Sequence, residues 1–164
     1  MAIAYRMGRA ADLERLLPLV EAYARETHAA LPLYPLRADF MEQVRAGVAQ
    51  TLEHPAGCVM LAEAETPGGA ATDLAGYAIG MLQEPPGIFR PEPYVFLSDL
   101  YVRPEYRRRG IGTALVERVR GWGWIKGVRR FSLVLPVDSP AQALFARLGF
   151  IPIQTMLHYQ DKDA

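Results

Sequence analysis

The sequence predicts one domain of the α/β (α+β) class, with strands and helices in the order β-α-α-β-β-β-α-β-α-β. Three observations lead to this class. Apolar residues recur with strand period and with helix period in alternating segments. A strand near the middle of the chain runs through a glycine-bearing turn into a helix. The length of 164 residues and the hydrophobic content of 51% suit one buried core. We therefore expect a single domain over residues 1–164.

The first part of the chain predicts one strand and two helices. The strand is Ala2 to Met7, and the helix after it carries apolar residues at i, i+3, i+4 and i+7. Pro18 lies inside that pattern, where it removes a backbone donor and should kink or divide the helix. A proline-bearing loop from Thr27 to Ala38 leads to a second helix over about Asp39 to Leu52.

Three strands are predicted in the middle of the chain. Gly57 to Glu65 and Asp73 to Leu82 are apolar runs joined by a Pro-Gly-Gly turn, which is typical of an antiparallel hairpin. The linker Gln83 to Pro93 holds four prolines and is either the wall of a binding cleft or a plain rigid connector. Tyr94 to Val102 is the predicted central strand.

The last part predicts two helices and the remaining strands. One helix follows the central strand and ends near Gly127, and the apolar run Phe131 to Val137 suits a strand covered on both faces. Ser139 as N-cap and Gln142 three residues later predict a capping box at the start of the next helix. Ile151 to Tyr159 supplies one or two final strands, which brings the total to six or seven.

Composition narrows the classes of partner. Lys plus Arg equals Asp plus Glu, 18 each, so no global charge points to nucleic acid or to an anionic membrane. Cys58 is the single cysteine, which rules out an intramolecular disulfide, and no apolar run approaches the ~20 residues that span a bilayer. The three histidines have no metal-ligand spacing. We expect a cytoplasmic protein without a metal.

The stretch Ser98 to Leu115 carries the main functional signal. It leads from a strand through an arginine-rich turn, with Gly110 and Gly112, into a helix. The first amides of a helix have no intrahelical partner and the helix dipole adds positive charge there. Glycines let a bulky ligand approach the backbone, so this order of elements predicts a site for a diphosphate.

Arg107-x-x-Gly110-x-Gly112 resembles the acetyl-CoA signature of the GNAT superfamily of N-acetyltransferases. A second stretch, from Asp138 to Phe150, is also similar to that family. The resemblance implies a GNAT fold, with a mixed central sheet flanked by about four helices, and acetyl-CoA (coenzyme A) as cofactor. It implies contacts with the cofactor at Leu100, Tyr101, Val102, Arg107, Arg108, Arg109, Gly110, Ile111, Gly112, Thr113, Asp138, Ala141 and Phe145.

Two functional positions depart from the family pattern. Asp138 stands where the family usually has Asn, and an ionised Asp has no amide donor for the pantetheine arm. Phe145 stands where the family often has the tyrosine that protonates the leaving thiolate. Because Phe145 has no proton to give, the thiolate must take one from water or another residue, or leave unprotonated.

The resemblance implies direct attack of a primary amine on the acetyl thioester in a ternary complex. Its carbonyl would be polarised by the backbone N–H of Leu100 or Tyr101. Asp99 on the central strand and Glu84 at the end of the neighbouring strand are the candidate bases. Each has an ordinary alternative, since Asp99 fits a local backbone cap and Glu84 a solvated surface residue.

The acceptor is expected to be a small-molecule amine, a protein N-terminus or a lysine. The loops Thr27 to Ala38 and Gln83 to Tyr94 are the expected acceptor loops, and their aromatic and basic residues predict its binding site: Tyr34, Phe89, Arg90 and Tyr94. Neither loop has an acidic run, so polycations such as aminoglycosides or polyamines are not favoured over amino acids or small amines. A homodimer is also expected.

Two other functions compete with acetyl transfer. A GNAT-like module that binds acyl-CoA without transferring the acyl group, as a sensor or interaction subunit, remains open because of the departures at Asp138 and Phe145. A dinucleotide-binding fold is disfavoured because Leu115 stands where its third glycine would lie and repeated βαβ units are missing.

Overall fold

The computed structural model describes residues 2–30, 35–65 and 72–157. Their core is a five-stranded sheet in the order β1-β2-β3-β4-β5. Neighbouring strands are antiparallel from β1 to β4, whereas β4 and β5 are parallel, so the sheet is mixed, as predicted. The strands are β1 Ile3–Met7, β2 Gly57–Glu65, β3 Thr72–Gln83, β4 Tyr94–Val102 and β5 Phe131–Ser132.

Within the described residues, four helices cover the two faces of this sheet, which also agrees with the prediction. Short 3-10 turns at Ala10–Asp12 and Pro104–Tyr106 precede the first and third helix. The third packs against one face in the larger apolar cluster, and the first two pack against the other face. The helices are α1 Leu13–Ala30, α2 Phe40–Glu53, α3 Ile111–Ile125 and α4 Gln142–Arg147.

Of the two effects predicted for Pro18, a kink or a division of the first helix, the division is wrong. Pro18 lies in the second turn of α1, which continues through it as one element. A residue other than proline at this position would donate its N–H to the carbonyl of Glu14, and both Pro18 and Glu14 are exposed. Water can therefore take the freed carbonyl, and the loss of one hydrogen bond does not end the helix.

The sheet is shorter at its C-terminal edge than predicted. Strand β5 holds two residues instead of the seven from Phe131 to Val137, because its pairing with β4 stops at Ser132, and a turn follows at Pro136, whose carbonyl accepts from the N–H of Ser139. Residues 151–157 form no strand in the described chain and are exposed, and Pro152 removes a backbone donor there. The described sheet therefore has five strands, not six or seven.

The predicted capping box at α4 is also wrong. The helix begins at Gln142 with Ala141 as N-cap, and the Gln142 side chain donates to the carbonyl of Val137 instead of to the backbone of Ser139. Ser139 makes a local turn, in which its Oγ accepts from the N–H of Ala141 at 3.3 Å. Serine competes for such turns as readily as for a helix cap.

A network of charged residues ties β1 to β2 and to the turn before α1. Arg6 donates to both carboxylate oxygens of Asp12 at 2.7 Å and to Glu63 at 2.9 and 3.0 Å. Arg15 reaches Glu63 from α1 at 3.0 Å. Asp12 and Glu63 are buried, and the guanidinium of Arg6 lowers the pKa of Asp12 to about 2. This network holds the N-terminal edge of the sheet.

Strand β4 changes the face it presents to the core part-way along its length. The pairing of β3 with β4 shifts in register at Ser98, which has no partner on β3. Before this bulge, Val95 and Leu97 pack in the cluster around α3; beyond it, Leu100 and Val102 pack there instead. The bulge therefore turns the odd-numbered residues of the later part toward α1 and α2.

The described ranges were also compared with the requirements for a membrane span and for a metal site. Within the described ranges, no helix has both the length and the apolar character to cross a bilayer. Nor do those ranges contain three or more His, Cys, Asp or Glu residues grouped to hold a metal ion. Cys58 is buried in the core, which raises the pKa of its thiol to about 12, so it is an inert apolar residue.

Candidate functional site

The N-terminus of α3 is an open ring of backbone donors. Gly110 is its N-cap with φ +78°, and Arg108 has φ 63°, so the turn uses left-handed backbone at two points. The amides from Arg108 to Thr113 donate to no residue that the structure describes, and no side chain caps the helix. Unbonded amides and the helix dipole together make this turn a site for an anion.

The two signature glycines keep this ring accessible. A Cβ at Gly110 would meet no atom within 4 Å, so the space in front of the turn is open. A Cβ at Gly112 would touch Leu144 at 3.5 Å and would lie 3.9 Å from Leu100 and from Val102. A branched side chain at Gly112 would therefore fill the space between the start of α3, the end of β4 and α4.

The three arginines of the turn differ in their contacts. Arg107 donates to both oxygens of Glu26 on α1 at 2.9 Å and to the carbonyl of Val102 at 2.8 Å. Arg109 lies over the Tyr106 ring at 5.9 Å, and Arg108 is exposed. The side chain of Arg107 is thus committed to α1, whereas Arg108 and Arg109 add positive charge around the open amides.

Next to this turn, one edge of β4 is open. Strand β5 pairs only with Val95 and Phe96, so β4 from Leu97 to Val102 is paired with β3 alone among the described residues. Parallel neighbours that separate in this way leave a gap with backbone donors and acceptors along one side. The amides of Leu100 and Tyr101, which are predicted to polarise a carbonyl, belong to this half of β4, which is paired with β3 on one side and open on the other.

Asp99 lies on the same half of β4 and faces α1 and α2. The hydroxyl of Tyr77 donates to its Oδ2 at 3.2 Å, and Tyr23 on α1 donates to the neighbouring Ser98 carbonyl at 3.2 Å. Burial raises the pKa of the Asp99 carboxyl above its usual range, and the hydrogen bond from Tyr77 offsets only part of this effect. Asp99 is therefore a stronger base than an exposed aspartate.

Glu84, the other candidate base, lies far from Asp99. It follows the end of β3, is exposed, and stands five residues beyond Ile79, the partner of Asp99 on that strand. Five residues of extended chain span roughly 16 Å. The structure therefore does not bring the two carboxylates together, and Asp99 is the one beside the gap.

The predicted acceptor residues form a cavity of about 500 Å³. Phe89, Arg90 and Tyr94 all line it, whereas Tyr34 lies outside the described residues. The other lining residues come from the proline-rich linker and from the start of β5: Pro85, Pro86, Glu92, Arg130 and Ser132. A larger groove of about 570 Å³ lies between β1 and α3, at the edge of the sheet opposite β5.

The second predicted stretch contributes less to the open site. Asp138 is exposed in the turn before α4, and Ala141 is the N-cap of that helix. Phe145 is 4% exposed and packs edge-on against Phe150, with 5.3 Å between the ring centroids. Its ring belongs to the core around α3, so the open space beside β4 is not lined by an accessible Phe145 ring.

The site also contains residues that sequence reasoning missed. They are Tyr23 and Tyr77 near Asp99, Glu26 on Arg107, and Arg130 and Ser132 in the cavity. The partners of these contacts are between 22 and 81 positions apart along the chain, for example Tyr77 with Asp99 and Glu26 with Arg107. No local pattern marks such residues, because only the packing of α1, β3 and β5 around β4 brings them together.

This combination defines a class of protein. A helix N-terminus with open amides, an open strand edge beside it and a half-buried carboxylate suit a transferase for a substrate with a diphosphate handle. Residues 14–150 match the family model described as acetyltransferase (GNAT) family, and the chain belongs to that family. The family resemblance seen in the sequence is thereby confirmed.

Curated relatives match over a shorter stretch. The aminoglycoside N(6')-acetyltransferase type 1 of Salmonella typhimurium is 32% identical over 71 residues, 43% of this chain and 49% of that protein. The thialysine N-epsilon-acetyltransferase of Sus scrofa is 39% identical over 56 residues, 34% of this chain and 33% of that protein. The chain thus spans about half the length of the first of these relatives and a third of the second.

Solved structures match over nearly the whole chain. The aminoglycoside N-acetyltransferase AAC(6')-Iy in complex with CoA has a TM-score of 0.71 at 19% identity and covers 98% of this chain and 95% of its own. The aminoglycoside 6'-N-acetyltransferase AAC(6')-Ih from Acinetobacter baumannii has a TM-score of 0.73 at 20% identity and covers 98% and 99%. These likenesses show that the fold is the one shared by these acetyltransferases.

Proposed function

We propose that this protein is an N-acetyltransferase that moves the acetyl group of acetyl-CoA to a primary amine, by direct attack in a ternary complex. One observation carries the proposal: unbonded amides at the start of α3 lie next to the half of β4 that β5 leaves open, which includes Asp99. Diphosphate site, open strand edge and base are thus consecutive along 15 residues of chain. Family membership and the curated relatives support the same reaction.

The residues at the β4–α3 turn fit the diphosphate of acetyl-CoA. Amides from Arg108 to Thr113 supply donors, Gly110 leaves the approach free, and Arg108 and Arg109 supply charge. When bound, acetyl-CoA supplies the activated acetyl thioester. The backbone N–H of Leu100 or Tyr101 would donate to the thioester carbonyl from the open edge of β4.

Asp99 would remove the proton that the attacking amine must lose. An amine is mostly protonated at neutral pH, and only its neutral form has a free electron pair. A carboxylate whose pKa is raised by burial accepts that proton more readily than a solvated one, and Tyr77 holds the carboxylate in place. The leaving thiolate would take its proton from water, since Phe145 has none to give.

The acceptor is proposed to be a small-molecule amine. The two sets of curated relatives are named for acetylation of aminoglycosides and of thialysine, which are small-molecule amines. The cavity at the β3–β4 linker has a volume of about 500 Å³, a size that suits a small molecule. Its aromatic and basic lining matches the predicted acceptor site.

The experiment is an unbiased amine screen with acetyl-CoA, read as release of free thiol and checked for acetylated product by mass spectrometry. We expect thiol and acetylated amine in equal amounts for at least one class of amine. A protein that binds acetyl-CoA in calorimetry but releases no thiol with any amine would instead be a binding module. In that case the acetyl-transfer proposal is wrong.

A further inference from the structure

The cavity at the β3–β4 linker carries an unneutralised positive charge. Arg130 donates to Glu92 at 2.6 Å, so these two charges compensate each other. Arg90 also lines the cavity and makes no ion pair or hydrogen bond through its side chain with any described residue. An exposed guanidinium in a partly aromatic recess is a ready partner for a carboxylate, which it can bind through two parallel hydrogen bonds.

This cavity opens on the same sheet face as the proposed base. Val95 points toward α3, so its neighbours Tyr94 and Phe96 point to the opposite face. On β5, Phe131 packs toward α3, which places Ser132 on that opposite face as well. Because of the bulge in β4, Asp99 returns to this face, where Tyr77 binds it. The cavity and Asp99 are therefore not separated by the sheet.

The cavity is also close to the point at which β4 and β5 separate. Ser132 lines the cavity and is the partner of Phe96, the last residue of β4 that β5 pairs with. Asp99 is three positions further along β4, which corresponds to about 10 Å of extended strand. An acceptor with one end in the cavity and the other beside Asp99 would need a spacer of that order.

We propose that the acceptor is an amine that carries an anionic group, a carboxylate, at the end of a short spacer. The carboxylate binds Arg90, the spacer lies between Tyr94 and the prolines of the linker, and the amine reaches Asp99. This inference rests on the acetyl-transfer function proposed above. It separates the protein from relatives named for aminoglycosides, because a polycation would be repelled by Arg90.

The test uses two amines that differ only in the proposed group. Nα-acetyl-L-lysine and its methylamide have the same single free amine, but only the first has a carboxylate. We expect kcat/KM for the carboxylate member to exceed that for the amide by at least tenfold, about 1.4 kcal/mol.

Variants of Arg90 show whether that residue is the source of the preference. Arg90→Gln should reduce the ratio to about one, and Arg90→Glu should reverse it in favour of the amide, with acetyl-CoA affinity unchanged in both. Arg129→Gln is the control, because Arg129 is an exposed arginine that contacts Trp124 and does not line the cavity. It should keep the full preference.

The possible outcomes are separable. Thiol release that is equal or faster with the amide members would overturn the anionic-acceptor inference and leave acetyl transfer standing. A preference for carboxylates that persists in Arg90→Gln would overturn the assignment to this cavity. If every amine fails to release thiol while acetyl-CoA still binds, the proposed function fails and this inference with it.

Discussion

Replacing Asp99 by Asn removes the proposed base and leaves its shape. In the wild type, the hydroxyl of Tyr77 donates to Oδ2 of Asp99 at 3.2 Å. The amide oxygen of Asn can accept the same hydrogen bond, so the buried hydroxyl keeps a partner. General-base catalysis contributes a factor of 10² to 10⁴, and with water as a substitute proton acceptor we expect kcat to fall by about 10². This corresponds to about 2.7 kcal/mol of transition-state stabilisation.

The same substitution has a defined effect on stability. Burial raises the pKa of Asp99 in the folded protein, so ionisation of this carboxyl disfavours the folded state once the pH exceeds its unfolded pKa. Stability associated with the protonated form is present at low pH and lost as the pH rises through the raised pKa. Asp99→Asn should therefore be at least as stable as the wild type at pH 7, and the difference should vanish below about pH 4.

Three measurements separate chemistry from packing: steady-state thiol release for the best amine, calorimetric titration with acetyl-CoA, and urea unfolding at pH 4 and pH 7. We expect a lower kcat, an unchanged dissociation constant and unchanged or higher stability. Asp73→Asn is the matched control, because Asp73 is an Asp of the same sheet that binds Arg103 outside the site. A kcat for Asp99→Asn within a factor of about three of wild type would refute the role of Asp99.

Three further predictions follow from contacts in the structure. Phe145→Tyr should lower the free energy of unfolding by about 1–3 kcal/mol, because the ring is 4% exposed in an apolar cluster and the new hydroxyl would lack a hydrogen-bond partner. Urea unfolding measures this difference, and unchanged stability would mean that the hydroxyl finds a partner. Glu26→Gln should tighten acetyl-CoA binding about two- to fivefold at low salt, because it frees Arg107 from a half-exposed ion pair worth at most about 1 kcal/mol. Calorimetry at two salt concentrations measures this, and the increase in affinity should shrink as the salt concentration rises. Asp12→Asn should lower the free energy of unfolding by about 2 kcal/mol at pH 7, because the pKa of Asp12 is lowered to about 2 in the folded protein. The stability associated with this lowered pKa is present above about pH 4 and is lost as the pH falls toward 2. An unfolding curve at pH 7 equal to that of the wild type would contradict the assigned role of the Arg6 network.

The sequence predicts the parts of this fold whose signals are local. Strands β2, β3 and β4 and helix α3 lie close to their predicted bounds, because each has an uninterrupted pattern and a turn or glycine at its end. Gly127, with φ +79°, follows the end of α3 near the position expected. The short β5 was not predictable, because the apolar run Phe131 to Val137 looks the same whether or not a neighbouring strand pairs with it.

In the candidate site too, local sequence signals predict some parts and fail to predict others. The amides at the start of α3 were predictable, since a strand, a glycine turn and a helix follow one another directly in the chain. The orientation of Asp99 was not, because it depends on a bulge at Ser98 and on Tyr77 from another strand. Arg107 shows the limit of motif reasoning: its position matches the signature, but its side chain is bound by Glu26.

The most direct test of the account is a calorimetric titration of acetyl-CoA into the wild type and Gly112→Val. Gly112 is preferable to Gly110 because the latter has φ +78°, where valine would strain the backbone. Valine at Gly112 should fill the space between the start of α3, Leu100 and Leu144, through which the cofactor would reach the open amides, and raise the dissociation constant at least tenfold, about 1.4 kcal/mol. Gly121→Val, in the same helix with open space around it, should bind like the wild type. Equal affinity in all three proteins would contradict the claim that the start of α3 holds acetyl-CoA.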